Sequence, residues 1–257
     1  VKTIDLSGGM VFITGGGGSI GGAIAVEAAH AGASVAVADF KLDAARQVAE
    51  TIVAHGGVAH AYQVDVTQAE SVREAMADAV EGLGPMVGLV TAAAILRTGS
   101  VATQSEAGWH EIMAVNVEGT FKSVQAAVEY LRQTRGAIVT LGSVSAYIGS
   151  EEGAAYTTTK GAVLSFTVAS AGDLAPLGIR VNAVSPGWVD GGFTHEAMSH
   201  MDDPQQLVET ANRMHYLGRM ATPTDVANAA VWLLSDQAAF VTGTSLLVDG
   251  GYMIKRG

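Results

Sequence analysis

The sequence contains no cysteine. Disulfides, thiolate nucleophiles and Cys-ligated metals are thereby excluded, although the absence says little about compartment. Cations are scarce: 14 Lys plus Arg face 25 Asp plus Glu, a formal charge of −11. Nucleic-acid binding needs clustered cations to neutralise phosphates, so this balance argues against it. No apolar run nears the ~20 residues that cross a bilayer. The first residues, Val-Lys-Thr-Ile-Asp-Leu-Ser, lack the apolar core of a secretory signal. A cytoplasmic protein without nucleic-acid or membrane partners is the expectation by elimination. Aromatic residues make up 6% and charged residues 15% of the chain, so the interior must be packed largely from Ala, Gly and Val. At 257 residues the chain is long enough for one large α/β domain or two small ones. No linker, repeat or low-complexity tract divides it, so a single domain over 1–257 is expected.

What the chain has is alternation. Short β-branched runs at Met10–Thr14, Ser34–Asp39, Val58–Val64, Val87–Ala92, Ala137–Leu141, Ile179–Ser185 and Ser245–Val248 read as strands. They are nearly continuous apolar runs, the pattern of strands buried on both faces. Helical segments fall between them near 19–31, 42–55, 68–81, 105–132, 154–175 and 223–235. This order predicts an α/β fold: a parallel sheet with right-handed crossovers and helices on both faces. The irregular stretch is Gly187–Arg219, with paired glycines, three histidines and several methionines. Segments of this length after a strand's C-terminal end enclose ligands in open α/β sheets. Short helices forming a flap are expected there.

Residues 11–22, Val-Phe-Ile-Thr-Gly-Gly-Gly-Gly-Ser-Ile-Gly-Gly, join the first strand to the first helix. Glycines let the backbone turn sharply and approach a pyrophosphate, while the helix N-terminus offers free amides. Asp39 ends the next strand about 20 residues on, where a carboxylate suits ribose hydroxyls and repels the extra phosphate of NADP. A strand-end cap is the plainer role for the same residue. Lys41, two positions later, could reach a ribose phosphate, but the carboxylate favours NAD. Asp65 ends the third strand and serves either an adenine edge or the cap of the following helix. Thr91-Ala-Ala-Ala closes the fourth strand with small residues, leaving room for a flat cofactor.

Tyr156 and Lys160 stand four apart in Ala-Ala-Tyr-Thr-Thr-Thr-Lys-Gly-Ala, and Ser143 lies thirteen positions before the tyrosine. Residues four apart share a helix face, so the ammonium can sit beside the phenol and lower a pKa that is ordinarily about 10. Tyr156 could then exchange a proton with an alcohol or carbonyl oxygen held by Ser143. Taken alone, such a pair most often marks amphipathic packing and a solvated amine.

Together, these motifs resemble the short-chain dehydrogenase/reductase family over essentially the full length. The matches are Thr14-Gly15 through Gly21, Asp65-Val66, Asn116-Val-Glu-Gly, Ser143, Tyr156-Thr-Thr-Thr-Lys160, Pro186-Gly187 and Val-Asp-Gly-Gly-Tyr at 248–252. The resemblance implies a single-domain Rossmann-type doubly wound sheet of about seven strands. It also implies a homotetramer with Val248–Tyr252 near a subunit interface. A catalytic tetrad of Asn116, Ser143, Tyr156 and Lys160 follows from it, with Tyr156 as acid/base and Ser143 orienting the substrate oxygen. Lys160 would lower the tyrosine pKa and bond the nicotinamide ribose, and Asn116 would hold a water. The NAD contacts implied are Gly15, Gly18, Ser19, Ile20, Gly21, Asp39, Asp65, Val66, Ala92, Tyr156, Lys160, Pro186, Gly187 and Val189. Three departures stand out: Ser19 replaces a glycine, Thr91-Ala-Ala-Ala replaces Asn-Asn-Ala-Gly, and Gly191 replaces a threonine that contacts the carboxamide, a role open to Thr194.

The reaction implied is reversible, metal-free hydride transfer between a secondary alcohol and NAD, giving a ketone. Ser143, Ser145, Glu152 and Trp188 are the substrate contacts expected, with Tyr147, Glu151, His195, Met198 and Arg213 as further pocket candidates. A carboxylate at Glu151 or Glu152 would favour polyols and Arg213 would favour acids, so a cyclic, aromatic or sugar-derived alcohol is open. Enoyl reducers of related type space tyrosine and lysine differently. A catalytically silent NAD-binding sensor or scaffold is the rival from another class, and such proteins lose the tyrosine or lysine that this chain keeps.

Overall fold

The computed structural model describes residues 3–199 and 201–255. His200, one of the three flap histidines, lies outside the described residues.

Seven strands form one sheet: β1 (Met10–Thr14), β2 (Ser34–Asp39), β3 (Val58–Gln63), β4 (Met86–Thr91), β5 (Ala137–Leu141), β6 (Arg180–Pro186) and β7 (Ser245–Val248). Their order is β3-β2-β1-β4-β5-β6-β7, and every neighbouring pair is parallel. The order reverses between β1 and β4, the crevice where open α/β sheets bind ligands. The helices are α1 (Ser19–His30), α2 (Leu42–Ala54), α3 (Ala69–Leu83), α4 (Glu106–Met113), α5 (Gly119–Thr134), α6 (Ala154–Leu174), α7 (Phe193–Met198), α8 (Pro204–Met214) and α9 (Pro223–Leu234).

Side chains alternate across the sheet. Val11 and Ile13 of β1 join Val35, Val37, Val90 and Val139 in a core with residues of α1, α2 and α9. Met10 and Phe12 face the other way, with Leu89 and Ile138 against Val72 and Met76 of α3 and Val124 and Leu131 of α5. Two-sided burial holds for the inner strands only. The expectation of continuous burial fails for β3, where Val58, His60 and Gln63 are exposed. It fails also for β7, where Leu247 is exposed. Both are sheet edges, so each is covered on fewer sides.

A second difference concerns the long helix expected over 105–132. It is divided into α4 and α5 by a π turn at Ala114–Glu118. Such bulges disturb the regular ladder and re-aim side chains, and this one carries Asn116 into the interior at 2% exposure. The start of α4 is legible: Ser105 accepts the Gly108 N–H at 3.1 Å as N-cap. The flap contains the short helices expected, α7 and α8, the latter opened by Pro204 and capped by Asp203.

The far end of α9 is closed by a side chain from the sheet. Arg180 donates to the carbonyls of Leu233 (2.7 Å), Leu234 (3.0 Å) and Ser235 (3.0 Å). These are the carbonyls a helix C-terminus leaves unpaired. Replacing Arg180 by Met should cost about 1–3 kcal/mol in denaturant unfolding, because partly buried carbonyls lose their donors. A change within about 0.5 kcal/mol, the range of an ordinary surface substitution, would contradict this role.

Candidate active site

The glycine loop lies at the switch point. Gly15 adopts φ +67°, and a Cβ there would sit 2.5 Å from the Ala93 nitrogen. At Gly21 a Cβ would meet the Gly15 carbonyl oxygen at 2.2 Å, so helix and turn approach too closely for any side chain. Gly18 N–H donates to Gly15 O at 3.1 Å, which tightens the turn ahead of α1. Ile20 follows with intermediate exposure. The Asp39 carboxylate holds this loop: Oδ2 accepts Gly17 N–H at 3.0 Å and Oδ1 accepts Lys41 N–H at 2.9 Å. A carboxylate has about four acceptor positions, so Asp39 caps its strand end and retains capacity for a diol. Both roles weighed from the sequence are compatible.

Two departures from the family pattern meet in space. The Ser19 hydroxyl is buried without a hydrogen-bond partner among the described residues. A Cβ on Gly191 would come within 2.3 Å of that oxygen. A side chain at 191 would have to displace the Ser19 hydroxyl from this position. Thr194 is 7% exposed, and its N–H donates to Gly191 O at 3.1 Å in the turn that opens α7. The narrow glycine cradle and the unpartnered hydroxyl fit a phosphate-bearing dinucleotide.

Asp65 serves its own turn: Oδ1 accepts the Thr67 N–H at 2.9 Å and the Thr67 hydroxyl at 2.7 Å. It does not cap α3, whose N-cap is Gln68 without a side-chain cap bond. Val66 packs on Gly119 at the start of α5, where a Cβ would meet it at 2.7 Å. Ala92 N–H donates to Thr14 O at 3.0 Å. Thr91 Oγ1 is buried without a partner among the described residues, which agrees with a hydrogen-bond network weakened at that departure.

Asn116 is an anchor. Its Oδ1 accepts Ile95 N–H at 2.9 Å, and its Nδ2 donates to Ile95 O at 3.0 Å and Thr159 Oγ1 at 3.2 Å. Thr159 in turn donates to the Tyr156 carbonyl at 2.8 Å. The loop after β4 is thus tied to α6 at the tyrosine.

Ser143, Tyr156 and Lys160 come together. Ser143 is 9% exposed and accepts Ser145 N–H at 3.1 Å. Its hydroxyl is near enough to the Tyr156 phenol to favour the ionised form. Lys160 Nζ lies 5.6 Å from the Tyr156 ring centroid, inside cation–π range. It donates to the Leu141 carbonyl at 2.7 Å. The expected lowering of the phenol pKa is not what this geometry gives. Burial pushes Tyr156 up to about 12, and Ser143 only moderates the rise. Burial also brings Lys160 down to about 8. The ammonium sits by the ring and on a carbonyl, so desolvation dominates both groups.

The remaining candidates scatter. Trp188 has intermediate exposure, two positions after buried Pro186. Val189 is 7% exposed and its carbonyl accepts Gly191 N–H at 2.9 Å. Glu152 is exposed, held at φ 53° by a loop in which its carbonyl accepts Gly99 N–H at 2.8 Å. Tyr147 and Glu151 are exposed and Met198 is half-buried. His195 pairs with Asp190 at 2.7 Å. Arg213 is exposed and bonds Thr210 within its own helix at 3.4 Å. The sequence reading missed Phe193, whose ring meets that of Tyr156 edge-on at 6.1 Å from α7. Its position straight after the paired glycines of the flap was the available signal.

The comparisons with known proteins agree with this architecture. A family model described as Enoyl-(Acyl carrier protein) reductase matches residues 16–253. The 2-(S)-hydroxypropyl-CoM dehydrogenase 3 of Xanthobacter autotrophicus is 40% identical over 243 residues, 94% of this chain and 95% of that protein. An inactive 2-(S)-hydroxypropyl-CoM dehydrogenase 2 of the same organism is 42% identical, over 87% of this chain and 96% of its own. The 2,5-dichloro-2,5-cyclohexadiene-1,4-diol dehydrogenase of Sphingobium indicum is 38% identical, over 96% and 98%. A crystal structure of a dehydrogenase/reductase from Sinorhizobium meliloti 1021 superposes with a TM-score of 0.88 at 34% identity, covering 96% of each chain. Sheet, glycine turn and relatives define the class, a Rossmann-type oxidoreductase. The chain belongs to the short-chain dehydrogenase/reductase family.

Keeping Lys160 charged inside the fold has a cost. Its folded value, about 8, lies below the ordinary 10.5. Its stability contribution is therefore full only above pH ~10.5 and lost as pH falls through about 8, a cost of about 3 kcal/mol at neutrality. Lys160→Met should stabilise the protein by about 0–2 kcal/mol at pH 7, after about 1–3 kcal/mol for the Leu141 carbonyl left without its donor. Denaturant unfolding checks this, and a less stable variant would contradict it.

Proposed function

We propose that the protein is an NAD-dependent short-chain alcohol dehydrogenase/ketone reductase. The observation that carries this is the meeting of Ser143, Tyr156 and Lys160 beside a glycine turn held by Asp39. Bound NAD would supply the hydride acceptor for the alcohol and, reduced, the donor for the ketone. Gly15, Gly18, Ser19 and Gly21 would receive its phosphates, Asp39 its ribose hydroxyls, and Pro186, Gly187 and Val189 would line the nicotinamide end.

The Ser143 hydroxyl orients the substrate oxygen. In the reductive direction Tyr156, protonated at neutral pH, donates its proton to that oxygen. In the oxidative direction it must accept one, and positive charge from Lys160 and the oxidised ring favours that step. General acid–base action contributes about 10²–10⁴-fold. Asn116 fixes α6 against the loop after β4 and so holds the phenol in place. Phe193 covers the ring of Tyr156 from the flap and helps exclude water.

The substrate is proposed to be a compact secondary alcohol, and the diol named for the Sphingobium relative favours a cyclic one. The family model's description points to enoyl reduction instead. The four-residue Tyr–Lys interval and the dehydrogenase relatives support alcohol chemistry. A silent NAD-binding protein is the second reading, prompted by the inactive relative. Retention of Ser143, Tyr156 and Lys160 argues against it. A cytoplasmic homotetramer completes the proposal. Exposed Phe121 and Val168 on α5 and α6 supply an apolar face for assembly, and no helix among the described residues is long and apolar enough to cross a membrane.

Tyr156→Phe should reduce turnover of a secondary alcohol by at least about 10²-fold, while NAD binding measured by calorimetry stays near wild type. Undiminished turnover in that variant would sink the mechanism. Asp39→Ala should narrow the preference for NAD over NADP by about ten-fold or more, since it removes a charged hydrogen-bond acceptor worth about 1.5–3 kcal/mol. An unchanged cofactor ratio would contradict the role given to Asp39.

A further inference from the structure

His215 closes α8 outside the reacting group and is 1% exposed. Its two ring nitrogens face opposite demands. Nδ1 lies 2.7 Å from the Ala211 carbonyl, which can only accept, so Nδ1 carries the proton. Nε2 is then a bare lone pair, and Trp188 N–H donates to it over 3.3 Å. This neutral tautomer satisfies both partners, whereas an imidazolium would set N–H against N–H at Trp188.

Three segments meet on this ring. Ala211 belongs to α8 of the flap, Trp188 to the turn after β6, and Tyr252 to the C-terminal segment, its ring 5.4 Å from the imidazole. The space is full: a Cβ on Gly187 would lie 2.7 Å from Nε2 and 3.2 Å from Asp249 Cα. On its other side the same turn is pinned by Ala221, whose N–H donates to Trp188 O at 2.9 Å and whose carbonyl accepts Asp190 N–H at 2.8 Å. Gly187 N–H adds a backbone tie to Val248 O at 3.2 Å, so His215 supplies the side-chain clamp on a turn that is otherwise held by backbone bonds.

We propose that neutral His215 is a positioning residue that fixes the Pro186–Val189 turn and ties the flap and C-terminal segment to it. It touches no reacting atom and acts through Trp188. The inference rests on the dehydrogenase reading, in which this turn lines the pocket.

Three variants and two readouts test it. His215→Asn keeps a donor for Ala211 but loses the acceptor for Trp188. His215→Gln can restore that acceptor, and Gly187→Ala crowds the ring from outside it. Backbone hydrogen exchange over 186–190 reads the clamp directly, and KM and kcat for a secondary alcohol with NAD read its use. His215→Asn and Gly187→Ala should exchange about ten-fold faster in this segment. His215→Asn should also raise the alcohol KM about five-fold or more with kcat within about two-fold, and His215→Gln should return both its exchange and its KM toward wild type. Unchanged exchange in both His215→Asn and Gly187→Ala would overturn the clamp. Faster exchange with an unaltered KM would overturn the positioning role and leave the clamp purely structural. A wild-type protein that turns over no alcohol would remove the reaction reading, and the positioning role with it, whatever the exchange shows.

Discussion

The constraint on which the site depends is a buried ammonium. Lys160 is 4% exposed, and its donor is committed to the Leu141 carbonyl, where β5 ends. That bond sets the lysine beside the Tyr156 ring and fixes the first turns of α6 against the end of β5. Everything else in the site is arranged around the cost of keeping a charge there. The tyrosine four residues earlier stands near Ser143, and its backbone is bound through Thr159 to Asn116. Fold stability and proton transfer thus pull in opposite directions at one residue, a common trade at reactive sites.

Desolvation also shapes the direction of the chemistry. A phenol pushed up to about 12 is a proton donor at neutrality. In the proposed reaction the protein alone would favour giving a proton to a carbonyl oxygen, and withdrawal of a proton from an alcohol would need added positive charge near the ring. The oxidised nicotinamide carries such charge. The flap enforces this environment, since Phe193 packs on the phenol from α7. The Pro186–Val189 turn that leaves β6 is gripped by Ala221 and His215.

Much of this was legible in the sequence, for identifiable reasons. Inner strands such as β1 and β5 announce themselves because burial on two faces demands unbroken apolar runs. The glycine turn reads correctly because Gly15 and Gly21 have no space for a side chain. The Tyr–Lys pair follows from helix geometry alone. Other features depend on contacts no local pattern encodes. The π turn at Ala114–Glu118 divides what reads as one helix, since Asn116 is drawn to Ile95 and Thr159 from distant segments. Burial outweighing a neighbouring cation is a balance of energies, not a spacing. The closeness of Ser19 to Gly191 joins positions far apart in the chain.

The central claim is that this group of side chains moves a proton while hydride passes between a secondary alcohol and NAD. The most direct measurement is turnover of a panel of compact secondary alcohols, cyclic ones included, and their ketones by the intact protein, followed through nicotinamide absorbance. It should be run with NAD(H) and NADP(H) separately. The account predicts turnover of at least one alcohol–ketone pair, with the non-phosphorylated cofactor preferred. Cofactor binding without turnover of any pair, or reduction supported by NADPH alone, would contradict it.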